Sequence, residues 1–424
     1  MKLTKVSKSL MSFFIKNKCV NHSDMTKKTM QILRFLYREI KRADAFIQNK
    51  KKEEGPSFYK LKVTKLSTAH EIPKPRQFNA DSFPSEVREH IDKTMTYDLQ
   101  YSFSLYDREI IIHFLVEETH PELTLSLYNN YVDKILVWLF IANEFSSKIC
   151  SKKLTIFMYM TSLQKHLPES NINIIDRMNV NTAFTYTCLP TSEIVVFRYE
   201  EWLKVLMHES FHNLGLDFSG MNIDRSVERI LSIFNVESDV LLYEAYTEFW
   251  AETINSIFCS FYLSSNKDNE EEFIKNFDFF INLERTYAFF QLVKTLNFMG
   301  LQYSDLYSNG QEAEMLRKTM YKEKSNVLCY YIIRTILMNN YQGFLSWCDQ
   351  NNTSLLNFKK TNANLDNFCK FIERNYKSAS MLEGVECMEH ILGKIKNPKT
   401  KTKKYSKNVD LLLKNMRMSI GELG

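Results

Sequence analysis

The sequence predicts an α+β protein with a mixed β-sheet in its first half and a mainly helical second half. Short runs of β-branched and aromatic residues, which favour strands, are concentrated before residue 200. Beyond residue 221 the apolar residues recur at helical spacing. The chain has only 10 glycines and 8 prolines among its 424 residues, which favours long helices over a loop-rich or all-β fold.

Four regions are predicted along the chain. A basic helical arm with a charged linker (1–56) precedes an α/β lobe (57–220), a helical lobe (221–393) and a basic tail (394–424). The arm is predicted to be helical mainly over Lys27–Gln48. A hydrophobic content of 44% is sufficient to build cores in both lobes, and we expect a cleft between them.

The α/β lobe contains runs that predict strands, with one long amphipathic helix among them. The predicted strands are Tyr59–Leu66, Tyr97–Tyr106, Glu109–Val116, Leu154–Met160, Asn181–Cys188 and Glu193–Arg198, and the helix is Leu125–Phe145. The second and third strands are expected to form a hairpin across Asp107 and Arg108. A twisted sheet should then carry the next predicted helix, Glu200–Leu214.

The helical lobe begins with a strongly helical stretch over Glu237–Asn255. Further helices are predicted at Glu271–Phe298, Glu312–Lys322, Ser325–Asn339 and Leu365–Arg374. The tail consists of a basic linker, Lys394–Lys407, and a short amphipathic end, Val409–Leu423. Because the net charge is only +5 and no nucleic-acid-binding motif accompanies the linker, we interpret it as a solvated tail and expect no nucleic-acid partner.

The helix over Glu200–Leu214 contains an HExxH pentad at residues 208–212. His208 and His212 are four residues apart and share one helix face, where two imidazoles can bind a single zinc ion. Glu209 then lies beside the metal, in position to take a proton from water. The pentad alone leaves open a coincidental occurrence in an unrelated helical protein.

A third ligand is available in the stretch Glu237–Asn255. Glu244, Glu248 and Glu252 recur every four residues and form an acidic stripe on one helix face. Most other positions are apolar or aromatic, which predicts a buried helix, and buried carboxylates need cations. A zinc ion and a histidine ring would satisfy two of the three. The alternative is a partly exposed helix whose glutamates face water.

The pentad, followed by the later segment Glu244-Ala-Tyr-Thr-Glu248, resembles the gluzincin branch of zinc metallopeptidases, the thermolysin-like class. In that class the first glutamate of such a segment is the third zinc ligand, and the acidic residue four positions later braces a ligand histidine. The resemblance therefore implies one bound Zn²⁺, with Glu244 as a ligand and Glu248 as the partner of His208 or His212. A register shifted by one turn, with Glu248 as the ligand and Glu252 as the brace, also fits the spacing.

Other zincin classes fit this chain less well. A metzincin would continue as HExxHxxGxxH, but Phe218 stands at the third histidine position and Asp217 is one residue short. Gly215 is better explained as the left-handed residue that ends the active-site helix. Residues 180–260 also resemble a set of uncharacterised HExxH proteins of large double-stranded DNA viruses, which themselves look like metallopeptidases. These resemblances imply a viral protein with a zincin-like fold, in which a mixed-sheet lobe carries the HExxH helix beside a mainly α-helical lobe.

Two further features of a peptidase have candidates in the sequence. In zincins the strand ahead of the active-site helix, or its neighbour at the sheet edge, pairs with an extended substrate, and Asn181–Cys188 is the candidate here. An ordinary core hairpin is the alternative. Tyr330 and Tyr331 are candidates to stabilise the oxyanion that forms during hydrolysis, with aromatic core packing as the alternative.

Cysteine usage and hydropathy indicate an intracellular protein. The eight cysteines show no paired spacing, so we interpret them as reduced thiols rather than a disulfide framework. No apolar stretch has the length of a bilayer span or of a secretion signal, so neither membrane association nor secretion is expected. The expected location is the cytoplasm of an infected host cell or the virion.

The sequence thus predicts a zinc-dependent peptidase that acts on a protein or peptide substrate. His208, His212 and Glu244 are the predicted zinc ligands, Glu209 is the predicted general base, and Glu248 is predicted to orient a ligand histidine. The alternative is a catalytically inactive protein of the virion that retains the zincin scaffold for a structural or interaction role.

Overall fold

The computed structural model of the protein describes residues 2–17, 19, 23–55, 58–77, 82–397 and 406–424. The elements of the first half are α1 (Lys5–Lys16), α2 (Lys27–Glu54), β1 (Lys60–Lys65), α3 (Ser85–Thr94), β2 (Tyr97–Leu105), β3 (Arg108–Val116), α4 (Leu125–Phe145), β4 (Lys153–Met160), α5 (Arg177–Val180), β5 (Ala183–Thr185) and β6 (Thr191–Val196). The elements of the second half are α6 (Trp202–Asn213), α7 (Asp224–Ile233), α8 (Leu242–Leu263), α9 (Glu270–Met299), α10 (Gln311–Met320), α11 (Arg334–Asn339), α12 (Tyr341–Asn351), α13 (Asn362–Asn375), α14 (Ala379–Lys396) and α15 (Ser406–Lys414).

The strands form one mixed sheet of six strands in the order β1-β2-β3-β4-β6-β5. β1, β2 and β3 are antiparallel neighbours, β4 runs parallel to both β3 and β6, and β5 is antiparallel to β6. The predicted α+β class with a mixed sheet is therefore confirmed. β5 lies at one edge of the sheet, and no other strand in the described ranges pairs with its outer side.

The two faces of the sheet are covered by different layers. On one face α3 packs its buried Val87 and Ile91 with Phe157 of β4 and other aromatic side chains. The opposite face joins the main core together with α4, α6, α8 and α9. That core continues from the sheet into the helical half, because α6 lies between β6 on one side and α8 on the other.

The end of the chain is part of the core. Residues 398–405, most of the predicted basic linker, lie outside the described residues, but residues 415–423 are buried. The backbone N–H groups of Met418 and Ser419 donate to the carboxylate of Glu201, directly before α6, at 3.0 and 2.7 Å. The predicted amphipathic end is helical only as far as Lys414, because backbone N–H groups beyond residue 415 donate to Glu201 and to Lys165 O and not to the preceding helical turn.

Several predicted boundaries differ from the structure. α2 continues to Glu54 through most of the predicted charged linker, where Lys50 and Glu54 form an i,i+4 ion pair at 3.3 Å. Pro56 and Ser57 lie outside the described residues. The predicted helix over Ser325–Asn339 begins as a π-helical turn at Leu328–Ile333. No helix in the described ranges is long and apolar enough to cross a membrane.

Four of the eight cysteines form disulfide bonds, so the prediction of reduced thiols is wrong for them. Cys19 pairs with Cys387 across 368 residues of sequence, and Cys150 pairs with Cys188 across 38. Their Cα atoms are 5.6 and 4.4 Å apart, within the range that a disulfide can bridge. Sequence spacing could not reveal these pairs because the fold brings them together. The other four, all buried and free, are Cys259, Cys329, Cys348 and Cys369.

Candidate metal centre

Helix α6 holds the HExxH pentad inside the core. Every residue from Trp202 to Asn213 is buried. The helix ends in a Schellman motif, in which Leu216 N–H donates to Phe211 O at 2.8 Å and Gly215 N–H donates to His212 O at 3.0 Å. Gly215 has a φ of +64°, which confirms the predicted left-handed stop immediately after the second histidine.

Three predicted ligand atoms converge at one point between α6 and α8. The Nε2 atoms of His208 and His212 are 3.1 Å apart. Glu244 Oε2 lies 3.0 Å from His208 Nε2 and 3.4 Å from His212 Nε2. Within the described ranges, this is the one group of three His, Cys, Asp or Glu side chains close enough to share a metal ion.

The spacing of these three atoms can be compared with that of a zinc site. A tetrahedral zinc ion bound by nitrogen and oxygen at about 2.0–2.1 Å holds its ligand atoms about 3.3 Å apart. The observed separations of 3.0, 3.1 and 3.4 Å lie close to that value. Two neutral imidazoles and one carboxylate are also a common donor set of catalytic zinc sites. The residues present therefore fit one zinc ion.

The outer nitrogen of each histidine is held by a buried carboxylate. His208 Nδ1 lies 2.8 Å from Glu248 Oε2, and His212 Nδ1 contacts Asp217 Oδ2. The other oxygen of Asp217 accepts hydrogen bonds from the backbone N–H and hydroxyl of Ser219, at 3.2 and 2.8 Å. Hydrogen bonds of this kind fix the tautomer of each ring and leave Nε2 free to bind a metal.

Glu248 and Glu252 of the acidic stripe are buried and the Glu244 side chain is only 12% exposed, and each carboxylate has a partner, so the alternative of solvent-facing glutamates is wrong. Glu248 pairs with Lys204 at 2.5 Å as well as with a histidine. Glu252 pairs with Arg334 at 2.7 Å, and both of these side chains are fully buried. In this arrangement Glu244 faces both ligand nitrogens, and Glu252 contacts a guanidinium group where the shifted register would require a histidine.

The buried groups differ in how their surroundings affect protonation. Burial alone would raise the pKa of Glu244, but attraction to His212 and hydrogen bonds with His208 and His212 hold that pKa well below its usual range. For Glu248, burial is likewise outweighed by Lys204 and His208, so its pKa is also lowered. Burial raises the pKa of Glu209, against the attraction of the two histidines. Glu244 and Glu248 are therefore held as carboxylates, while Glu209 holds a proton more readily than an exposed carboxyl group. Burial also raises the pKa of Glu252 well above its usual value, against the attraction of Arg334.

Glu209 and one of the two candidate tyrosines line a cleft of about 340 Å³ beside the three converging atoms. The Glu209 carboxylate makes no hydrogen bond to any described part of the chain, so it is available to a water molecule or substrate. Tyr330, in the π-helical turn, donates its hydroxyl to Glu244 Oε2 at 2.8 Å. Tyr331 donates to Met416 O at 2.8 Å, away from the cleft, and its candidacy for the oxyanion is therefore wrong.

The edge strand β5 forms one wall of this cleft. It is shorter than the predicted strand, because the chain leaves the sheet after Thr185. Phe197 N–H donates to Thr182 O at 2.9 Å, so these two residues form a hydrogen-bonded pair of the antiparallel ladder. Hydrogen-bonded and non-hydrogen-bonded pairs alternate along such a ladder. By that alternation the backbone groups of Phe184 face β6, and those of Ala183 and Thr185 face the open edge of the sheet.

Sequence reasoning missed four residues that surround the site. Lys204 stands four residues before His208, and a cation among the apolar residues of this helix was a signal that the sequence offered. Asp217 lies two residues after Gly215, whose left-handed backbone turns the chain back toward α6, so the carboxylate contacts His212. The other two, Arg334 and Met418, come from distant parts of the chain and gave no signal in sequence.

The chain is similar to a curated protein of Acanthamoeba polyphaga mimivirus named "Uncharacterized protein R210". The two are 27% identical over 187 residues, which cover 44% of this chain and 44% of that relative. The chain therefore aligns with less than half the length of the curated relative it matches. No family model and no solved structure matches the chain. The similarity is consistent with a viral origin and carries no information about activity.

Proposed function

We propose that the chain is a zinc-dependent peptidase of the gluzincin type. The observation that carries the proposal is the convergence of three ligand atoms, from His208, His212 and Glu244, at separations of 3.0–3.4 Å. Glu209, which follows the first of these histidines, lines the same cleft. In this proposal these three residues hold one zinc ion, and the mixed sheet with its HExxH helix is a zincin-like scaffold.

A zinc ion bound there supplies Lewis acidity, which activates water and polarises the carbonyl oxygen of the substrate. Glu209 acts as the general base that accepts the proton of the attacking water and then delivers it to the leaving amine. The absence of a hydrogen-bond partner in the described part of the chain leaves its oxygens free for that water.

Tyr330 is the proposed donor to the oxyanion that develops on the substrate. Its hydroxyl stands at the wall of the cleft and donates to Glu244 Oε2 at 2.8 Å, so it lies beside a ligand of the proposed zinc ion. Because a phenol has a single O–H, donation to the oxyanion would replace this bond, and Glu244 Oε2 would then bind the zinc ion instead. A hydroxyl donor in a water-poor site stabilises developing negative charge strongly. Burial raises the pKa of this phenol well above its ordinary value, so the hydroxyl keeps its proton at neutral pH.

The proposed substrate is an extended segment of a peptide or protein. The backbone groups of Ala183 and Thr185 face the open edge of the sheet, and β5 lines the cleft. A peptide that adds to this edge as a further strand would run along the cleft past Glu209. Backbone pairing gives affinity for any extended sequence, and the remaining cleft walls would then select side chains.

The variant Glu209→Gln tests the mechanism directly. It should bind zinc like the wild type, because Glu209 is not a proposed ligand, but it should hydrolyse a library of quenched fluorescent peptides at least about 10²-fold more slowly. The matched control is Glu193→Gln, in which the replaced carboxylate accepts hydrogen bonds from backbone N–H groups outside the cleft and activity should persist. Undiminished hydrolysis by the Glu209→Gln variant would refute the mechanism. Zinc binding by the wild type without hydrolysis of any peptide would favour the inactive virion scaffold.

A further inference from the structure

Lys204 is a buried cation one helical turn before the first histidine of the pentad. Its Nζ lies 2.5 Å from Glu248 Oε1, and the two side chains are 3% and 1% exposed. The other oxygen of the same carboxylate, Oε2, lies 2.8 Å from His208 Nδ1. Both partners of Glu248 therefore come from α6, four residues apart in sequence.

This arrangement fixes the plane of the carboxylate. Glu248 belongs to α8, and its side chain is held by one contact at each oxygen, so rotation about its last bond would break both. Without Lys204, one oxygen would be buried without a partner, and a buried unpaired carboxylate either shifts position or loses its charge. Arg334 attracts the Glu248 carboxylate but makes no hydrogen bond to it, and its guanidinium donates to Glu252 at 2.7 Å.

We propose that Lys204 is a positioning residue for the metal centre: it holds the Glu248 carboxylate in the orientation that aims the His208 ring at the metal. This inference rests on the proposed zinc site. Lys204 acts through Glu248 and contacts none of the three proposed ligand residues by hydrogen bond. Although Lys204 lines the cleft, its Nζ donates to Glu248 there, and a role in substrate binding is the alternative that the KM measurement tests.

The test measures the zinc affinity of the full chain by competition with a chromophoric chelator. Lys204→Met should weaken zinc binding by about 10- to 100-fold, as losses of outer-shell partners of metal ligands typically do, and Lys204→Arg should restore most of the affinity. The matched control is Lys294→Met. It removes another buried lysine, which donates to the backbone carbonyls of Leu412 and Asn415 and does not touch the metal centre, so zinc affinity should be unchanged.

A second readout separates positioning from a general loss of structure. In the Co²⁺-substituted protein, Lys204→Met should alter the visible absorption bands, which report ligand geometry, while Lys204→Arg should leave them near those of the wild type. If Lys204→Met does not fold, Lys204→Gln, which keeps a polar side chain but removes the charge beside Glu248, takes its place and should also lose affinity.

The outcomes that would overturn the inference are distinct from those that concern the peptidase. Wild-type zinc affinity and an unchanged Co²⁺ spectrum in Lys204→Met would refute it. A raised KM for peptides at unchanged zinc affinity would assign Lys204 to substrate binding and refute it as well. A wild-type chain that binds zinc but hydrolyses no peptide would refute the proposed function alone. A wild-type chain that binds no zinc would refute both.

Discussion

Replacing Asp217 with asparagine should weaken metal binding at the cleft. Asp217 is fully buried and accepts a hydrogen bond from His212 Nδ1 through Oδ2. Its other oxygen accepts from the backbone N–H and hydroxyl of Ser219. Asparagine has nearly the same shape and can still accept from Ser219, but it lacks the charge that makes the imidazole a better ligand. The substitution therefore tests the histidine partner with little change in packing.

The size of the effect follows from the position of this carboxylate. Outer-shell partners of metal-bound histidines typically contribute about 10- to 100-fold in metal affinity, which corresponds to about 1.4–2.7 kcal/mol. Because the Asp217 side chain is fully buried, water cannot substitute for the lost charge, and we expect the upper half of that range. His212 Nε2 should then bind zinc more weakly, while the contact between His208 Nδ1 and Glu248 Oε2 is unchanged.

The assay is zinc competition with a chromophoric chelator, with Asp98→Asn as the control. Asp98 is 5% exposed and lies 3.0 Å from the Nδ1 atom of the partly buried His113, so it forms a second Asp–His pair, on the sheet and outside the cleft. The control should lose stability without losing zinc affinity. Wild-type affinity in Asp217→Asn, or an equal loss in Asp98→Asn, would show that the contact with His212 does not support a metal ligand.

Two further substitutions test the cleft and its surrounding charges. Tyr330→Phe should keep zinc but lower kcat by about 10²-fold, measured with fluorescent peptides, because it removes the proposed oxyanion donor; a kcat within twofold of the wild type would exclude that role. Arg334→Met should lower the free energy of unfolding, measured in urea, by about 1–3 kcal/mol, because it leaves Glu252 buried without its hydrogen-bond donor. The double variant with Glu252→Gln should recover part of that loss, and a loss below about 1 kcal/mol in the single variant would contradict the buried ion pair.

Much of the fold could be predicted from local patterns. The helix Leu125–Phe145 has the predicted boundaries, and the β2–β3 hairpin agrees to within a residue or two at each end. These elements have strong periodicity and bury one or both faces, so local sequence and tertiary packing favour the same structure. The burial of the α8 glutamates was also predictable, since three stacked carboxylates in an apolar helix require cations.

The partners of those carboxylates were predictable only in part. The i,i+4 histidines and the glutamate spacing follow from helical geometry alone, and they were enough to identify the three converging residues. The cations come from elsewhere: Arg334 is 82 residues from Glu252. The disulfides and the buried chain end at 415–423 likewise depend on contacts between distant segments. Such contacts leave no periodic signal in one sequence.

The metal content of the purified chain tests the central claim most directly. Elemental mass spectrometry of the wild type after zinc-replete expression should find about one zinc per chain, and the variant His212→Ala should lose it, because it removes one of three ligands. Zinc absent from both proteins, or retained in equal amount by the variant, would contradict a site built from His208, His212 and Glu244.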